Sequence, residues 1–275
     1  MNQSEAIELM QSHGLIVSSL TFGKIIKTAT QGKPSKRNGW YFINEHNGEV
    51  SGVFGNYDEY GDQKIAIRGK VNATQRTAQK QQREAEVTDG LKEALRAWNL
   101  SDPISNHQHE YAEKKKLKYN ILIRNGVKID RYGNLVFNLK NNGKFAGIQR
   151  IAPDGTKRFN KGFKMAGSYY EIEDVGGADI AYCEGIATGF TIANIFRFRK
   201  IICCLSACNI ESVAKQFGLG YLFADNDLDN KVNTGRESAI KNADLFSNIF
   251  TPKEHGDIND MYVEHGMYFD LERIK

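Results

Sequence analysis

The chain has 275 residues, of which 40% are hydrophobic and 25% are charged, as is typical of a soluble globular protein with one large or two modest domains. No apolar run approaches the ~18 residues of a membrane-spanning helix, and the polar, acidic N-terminus does not resemble a secretory signal. The net charge of +4 conceals a basic segment, because residues 110–164 contain 14 Lys and Arg against four Asp and Glu, whereas residues 165–275 contain 10 against 17.

The cysteines point to a reducing compartment. All four lie in or near apolar runs and lack the spacing of a zinc-binding site. They are Cys183, Cys203, Cys204 and Cys208. We therefore expect buried, reduced thiols and a cytoplasmic protein.

The first hundred residues predict a small sheet followed by a helix. A short helix over 5–13, closed by Gly14, precedes three strand-like runs that Gly, Asn and Asp separate. These runs, which predict an antiparallel sheet, are "GWYFINEH", "VSGVFGNY" and "QKIAIRGK". Residues 72–98 then favour a helix that Pro103 follows. The apolar stripe of this helix is Leu91, Ala94, Leu95 and Trp98.

The basic segment predicts a short helix over 107–117 and then antiparallel strands. Asn-Gly and Asp-Gly turns separate the expected strands Leu135–Leu139, Phe145–Ile151 and Thr156–Phe159. Basic side chains punctuate this region and could attract phosphate backbones, although lysines such as those of "EKKKLKYN" are also typical of a solvated helix face. The basic residues of the strand region are Lys140, Lys144, Arg150, Lys157, Arg158, Lys161 and Lys164.

Beyond residue 178 the pattern changes to short apolar strands that alternate with helices. The strand-like runs are "DIAYCEG", "KIICCLS", "YLFAD" and "NIFTP". This alternation predicts a parallel sheet built from crossover connections, and therefore an α/β region within an α+β chain. The last helical run, "TGRESAIKNADLF", is expected to turn one apolar face inward, made of Ala239, Ile240, Ala243 and Phe246.

Acidic residues follow two of these strands. Glu184 ends one run, and Asp225, Asp227 and Asp229 follow another. An Asp/Asn-rich turn exposed to solvent is one interpretation. The other is a site for one or two divalent cations, because Asp225 and Asp227 share a side of an extended chain and would meet Glu184 if the two strands were neighbours.

Two other ligand loops fit the sequence less well. A calcium-binding EF-hand loop needs Gly at its sixth and Glu at its twelfth position, where this chain has Asn230 and Arg236. The segment "CEGIATG" does not match the glycine pattern of a dinucleotide-binding site, and the chain contains neither a Walker A motif nor a G-x-S-x-G motif.

Four segments in order, "YCEGIATG", "LSACNIESVA", "LFADNDLDNKVNTGRESA" and "HGDINDMY", resemble the Toprim domain of phage and plasmid primases. The resemblance implies a C-terminal Toprim domain over 171–275 with a parallel, Rossmann-like sheet. The stretch "LVFNLKNNGKFAGIQRIAPDGTKRFNKG" is similar to the basic subdomain of these primases, here 105–170. Residues 1–104 resemble their N-terminal module more weakly.

The resemblance also implies roles for residues. Glu184 corresponds to a metal-organising residue or general acid/base, and Asp225 and Asp227 to Mg²⁺ or Mn²⁺ ligands. Asp229, Asp257 and Asp260 are further acidic candidates. Contacts with nucleic acid or nucleotide are expected from Lys140, Arg150, Lys157, Arg158, Lys161 and Lys164.

The chain departs from the family pattern at several points. Thr188 stands where some primases have Asp, and neither a zinc-binding module nor a helicase motif is recognisable. The resemblance implies a DNA primase that joins nucleoside triphosphates into short primers on single-stranded DNA, with a separate helicase or initiator as a conceivable partner. The alternatives are a Toprim nuclease or nickase and a non-catalytic nucleic-acid-binding protein.

Overall fold

The computed structural model describes residues 1–46, 48–61, 63–67, 73–105, 108–173, 176–226 and 233–275, without the side chains of 73–83 and 234. Two of the acidic candidates, Asp227 and Asp229, lie outside the described residues. The contacts divide the chain into two compact units, Met1–Gln82 and Arg83–Lys275. None of the helices within the described ranges is long and apolar enough to cross a membrane.

The first unit contains the expected antiparallel sheet. Its strands are hydrogen-bonded in chain order and are β1 (Ile25–Thr28), β2 (Gly39–His46), β3 (Glu49–Asn56) and β4 (Ile65–Ile67). Helix α1 (Gln3–Ser12) begins with a capping box between Asn2 and Glu5. It ends before Gly14, whose φ of 77° is readily available only to glycine. A single helical turn, α2 (Tyr57–Tyr60), follows β3. Met10, Ile43 and Phe54 are fully buried in this unit's core.

Helix α3 (Ala73–Leu100) contains the boundary between the units and then packs on the second sheet. Ala94 is buried, and Ala97 and Trp98 pack with it against Val136 and Ile148. The expected stripe is wrong at Leu95, which is 46% exposed. Its neighbour Ala94 faces the sheet instead, because adjacent helical positions point about 100° apart.

Eleven strands of the second unit, counted within its described residues, form one mixed sheet. Its first part is antiparallel and comprises β5 (Asp102–Pro103), β6 (Lys128–Ile129), β7 (Leu135–Asn141), β8 (Lys144–Ile151), β9 (Lys157–Phe159) and β10 (Ser168–Glu173). The hairpin prediction is confirmed, with a register shift between Leu139 and Lys140. The helix expected over 107–117, whose first residue lies outside the described residues, is shorter and is α4 (Glu110–Lys114); a second short helix, α5 (Tyr119–Arg124), follows it.

The second part of this sheet has the expected α/β alternation. In chain order its elements are β11 (Ile180–Cys183), α6 (Ile186–Ile195), β12 (Lys200–Cys203), α7 (Ile210–Phe217), β13 (Tyr221–Phe223), α8 (Thr234–Lys241), β14 (Asn248–Pro252), α9 (Ile258–His265) and β15 (Leu271–Arg273). Strands β11 to β14 are parallel, in the spatial order β14-β13-β11-β12. The antiparallel strands β10 and β15 flank them. The fold is therefore mixed α+β.

Burial corrects two further expectations. Cys183, Cys203 and Cys204 are buried, whereas Cys208 is exposed. Ile240 is 53% exposed although Ala239 and Phe246 are buried. Helix α8 stops at Lys241 and a 3-10 turn over Ala243–Leu245 follows, so the residues expected on one apolar face do not belong to one continuous helix.

Candidate active site at the strand ends

Two of the acidic candidates follow neighbouring parallel strands. Glu184 comes directly after β11, and Asp225 lies two residues after β13. The register pairs Cys183 with Phe223, so both carboxylates leave the sheet at nearly the same level. After β12 the chain returns to the opposite side of β11 to form β13. Ligand sites of open α/β sheets lie at this reversal of strand order, beyond the carboxyl ends of the strands.

The two carboxylates are half-buried, and their charges contribute to the raised pKa values of nearby thiols. The pKa of Cys183 is raised chiefly by burial, then by the neighbouring Cys203 thiol, and also by the charge of Asp225. Burial, Cys203 and the charge of Glu184 likewise raise the pKa of Cys204. One carboxylate oxygen of Asp225, Oδ1, is fully buried. The thiols of Cys183 and Cys204 therefore stay protonated.

Helix starts lie against both acidic residues. Gly185 caps α6 immediately after Glu184. At Gly235, in the first turn of α8, an added Cβ would lie 2.7 Å from the carbonyl oxygen of Asp225, so only glycine permits this close approach. The positive ends of the two helix dipoles favour negative charge at this edge of the sheet.

The backbone after β12 is strained at the same place. Leu205 has a φ of 69°, in the left-handed region that costs a residue with a side chain about 1 kcal/mol. Its N–H donates to the carbonyl oxygen of Glu184 at 2.8 Å. The hydrogen bond holds the backbone of Glu184 against the end of β12. Strain of this kind is common at functional sites.

A third acidic residue, Asp257, follows the next strand, β14, and caps α9. Its Oδ1 accepts from the N–H of Asp260 at 2.9 Å, as part of a capping box. Its Oδ2 accepts from the hydroxyl of Thr188 at 2.9 Å. Thr188 thus links α6 to Asp257. Asp260 points to Lys115, with 2.7 Å between Oδ1 and Nζ.

A buried amide joins the two loops that bear Asp225 and Asp257. Asn226 exchanges two backbone hydrogen bonds of 2.9 Å with Gly256. Its side chain donates to the carbonyl oxygens of Pro252 and Glu254. Asn226 is 2% exposed, and its burial gives no signal in the sequence because it stands within an Asp/Asn-rich run that also suits an exposed turn. The sequence analysis did not single it out.

Tyr111, from α4, lies next to this acidic edge. Its hydroxyl is buried and has no hydrogen-bond partner in the described part of the chain. Burial raises the pKa of Tyr111, and the charges of Asp257 and Asp260 raise it further. Tyr111 therefore remains a neutral phenol across the working pH range.

The residues fit a hard divalent cation by chemistry, and the described part of the chain does not complete a cage. No three His, Cys, Asp or Glu side chains within the described residues form a group that could hold a metal ion. Mg²⁺ commonly takes only one or two protein carboxylates and keeps several waters or substrate phosphates. Glu184 and Asp225 carry oxygen atoms of the kind that such a site uses.

The basic candidates divide into paired and exposed groups. Lys140 lies 3.6 Å from Glu171, and Nε of Arg150 lies 3.2 Å from Oδ2 of Asp130. These two are partly neutralised. The side chains of the remaining four are exposed to solvent. They are Lys157, Arg158, Lys161 and Lys164.

Comparison with known proteins gives distant structural similarity alone. No family model and no curated protein matches the chain. It aligns with a chain from the structure of bacteriophage T7 lagging-strand DNA polymerase interacting with primase domains bound to an RNA/DNA hybrid and dTTP. The TM-score of this alignment is 0.43 and the sequence identity is 11%, and the alignment covers 60% of this chain and 92% of that one. It also aligns with the primase fragment of the bacteriophage T7 primase-helicase protein, with a TM-score of 0.42 and 13% identity, over 60% and 76% of the respective chains. TM-scores this low do not by themselves establish a shared fold or function.

Proposed function

We propose that the chain is a Toprim-type DNA primase that uses Mg²⁺ or Mn²⁺ to join nucleoside triphosphates into short primers on single-stranded DNA. The observation that carries the proposal is the placement of Glu184, Asp225 and Asp257 after three adjacent parallel strands. The ordered sequence resemblance to phage and plasmid primases supports it.

The proposed roles follow from burial and charge. Glu184 and Asp225 would hold the cation, which would neutralise charge on the transferring phosphoryl group. Glu184, whose half-buried carboxylate precedes the start of α6, would also accept the proton of an attacking 3′ hydroxyl. Exposed cations of the β8–β9 region, such as Lys157 and Arg158, would bind phosphates of template or nucleotide.

The first prediction is that both strand-end carboxylates are required for primer synthesis. The protein is incubated with circular single-stranded DNA, labelled nucleoside triphosphates and Mg²⁺ or Mn²⁺. We expect short new products, and we expect Glu184→Gln and Asp225→Asn each to reduce them about 100-fold, because an electrostatic group in the transition state is lost. Product length and yield are read on a denaturing gel.

Two exposed carboxylates serve as matched controls. Glu173→Gln and Asp244→Asn make the same chemical changes at exposed residues away from Glu184 and Asp225 and should leave synthesis unchanged. Template nicking that requires Glu184, without new products, would instead support the nuclease alternative. DNA binding that survives both site substitutions, with neither activity in the unaltered protein, would support a non-catalytic binding protein.

A further inference from the structure

A rigid turn between β6 and β7 displays an aromatic side chain. Oδ1 of Asp130 accepts hydrogen bonds from the N–H groups of Tyr132 and Asn134, at 2.9 and 3.0 Å. Gly133 adopts a φ of 78°, which the turn requires. Its carbonyl oxygen lies 2.9 Å from Nε2 of the buried His109. Hydrogen bonds within the turn and the contact with His109 therefore fix its conformation.

Tyr132 projects from this turn and buries little of its ring. It is 70% exposed, so it contributes little to the hydrophobic core. The guanidinium of Arg131 lies 4.7 Å from its ring centroid, and Nη2 of Arg131 donates to its hydroxyl at 2.5 Å. One arginine thus steadies the ring while most of the ring surface remains accessible.

Two further arginines lie on the strands next to this turn. Arg150 reaches Asp130 in the turn, and the register of β8 and β9 places Arg158 opposite Arg150, on the same face of the sheet. Asp130, whose side chain is only 10% exposed, is the carboxylate engaged by Arg150. Asp154, in the next turn, accepts from the N–H of Thr156. We name the group of Arg131, Tyr132, Arg150 and Arg158 the Tyr132 patch.

We propose that the Tyr132 patch binds single-stranded DNA, with an unpaired base stacked on the Tyr132 ring and flanking phosphates on the arginines. Aromatic side chains combined with basic ones bind single strands because every base has a stacking face, whereas duplex bases are already stacked on each other. The inference extends the proposed function, since the strand held here would be the template. The binding itself needs neither the cation nor the strand-end carboxylates.

The test measures binding without chemistry. Fluorescence anisotropy follows a labelled dT oligonucleotide in EDTA. We expect Tyr132→Ala to weaken binding about tenfold, which is typical of the loss of one stacked base, and Tyr132→Phe to bind like the unaltered protein. Tyr268→Ala is the matched control, because Tyr268 is 91% exposed and belongs to a different loop. Thermal melting checks that each variant is folded.

Abasic oligonucleotides separate stacking from charge. Replacing the bases by abasic sites should remove the difference in affinity between the unaltered protein and Tyr132→Ala. Arg158→Ala should instead weaken binding of both the normal and the abasic oligonucleotide and lower the salt dependence of binding. Glu184→Gln should bind normally, so a failure of the metal site leaves this result intact. Equal binding by Tyr132→Ala and Tyr268→Ala, or a Tyr132 effect that persists on the abasic strand, would overturn the proposal.

Discussion

Asp257 illustrates how a single side chain can have two explanations. The resemblance suggests a metal ligand, whereas the structure shows an N-cap that also accepts from Thr188. Asn caps helices as well as Asp does but carries no charge. Exchanging the two residues therefore separates the structural role from the electrostatic one.

We predict that Asp257→Asn leaves the free energy of unfolding within about 0.5 kcal/mol of its original value, because the amide oxygen still accepts from the N–H of Asp260. If the carboxylate serves the proposed cation, primer synthesis should fall at least about tenfold. Urea unfolding and the primer assay are run on the same preparation. Asp257→Ala, which loses the cap, should be about 1–2 kcal/mol less stable. Full synthesis by Asp257→Asn would restrict Asp257 to capping.

At the scale of elements, α3 meets the loop after β9 with almost no space between them. An added Cβ at Gly90 would lie 1.9 Å from the carbonyl oxygen of Lys161, and one at Gly162 would lie 2.8 Å from that of Glu86. Asn160 bridges the same contact, donating to Gly90 and accepting from the N–H of Ile148. The glycines therefore set how closely the helix approaches the sheet.

We predict that Gly90→Ala destabilises the second unit by about 1–3 kcal/mol, because the methyl group overpacks against backbone. At an unobstructed helical position the same change would stabilise by up to about 1 kcal/mol. Thr88→Ala, at an exposed position of the same helix, is the control and should be neutral or slightly stabilising. Urea unfolding followed by circular dichroism measures both. A stabilised Gly90→Ala would show that the helix and loop can move apart at little cost.

At the scale of the whole molecule, each compact unit contains one tryptophan, Trp40 in the first and Trp98 in the second. The first unit also contains a carboxylate with an unusual pKa. Asp58 accepts hydrogen bonds from Thr30, Asn38 and Lys33. Although burial raises its pKa, these contacts outweigh burial and lower the pKa to about 2.

We predict an acid-sensitive first unit. The pKa of Asp58 is lower in the folded state than its unfolded value near 3.8, so the ionised carboxylate stabilises the folded unit at a pH above 3.8. This stability is lost as the pH falls towards 2. Between pH 4 and 2, the unit should lose up to about 2 kcal/mol more than its Asp58→Asn variant does. Trp40 fluorescence in a Trp98→Phe background reports the transition. Glu8→Gln, an exposed change in α1, should unfold over the same pH range as the original protein. Equal acid sensitivity with and without Asp58 would contradict the prediction.

Local chemistry explains which elements were predictable. Residues 39–46 alternate buried and less buried positions along β2, and the Asn-Gly turn at 142–143 closes the β7–β8 hairpin, because strand period and turn preference are properties of neighbouring residues. Strands β1, β5, β6, β10 and β15 were missed. Of these, β10 and β15 pair with partners distant in sequence, so no hairpin turn marks them.

The acidic residues after strands, the basic segment and the α/β alternation are legible in the sequence by itself, because each depends on a short run of residues. Only the tertiary structure decided that β11 and β13 are neighbours, that buried Asn226 joins the loops of Asp225 and Asp257, and that Arg150 pairs with Asp130 in the turn of Tyr132. Those relations join residues far apart in the chain. Strand order, burial and side-chain partners arise when the whole sheet packs, and no local pattern encodes them.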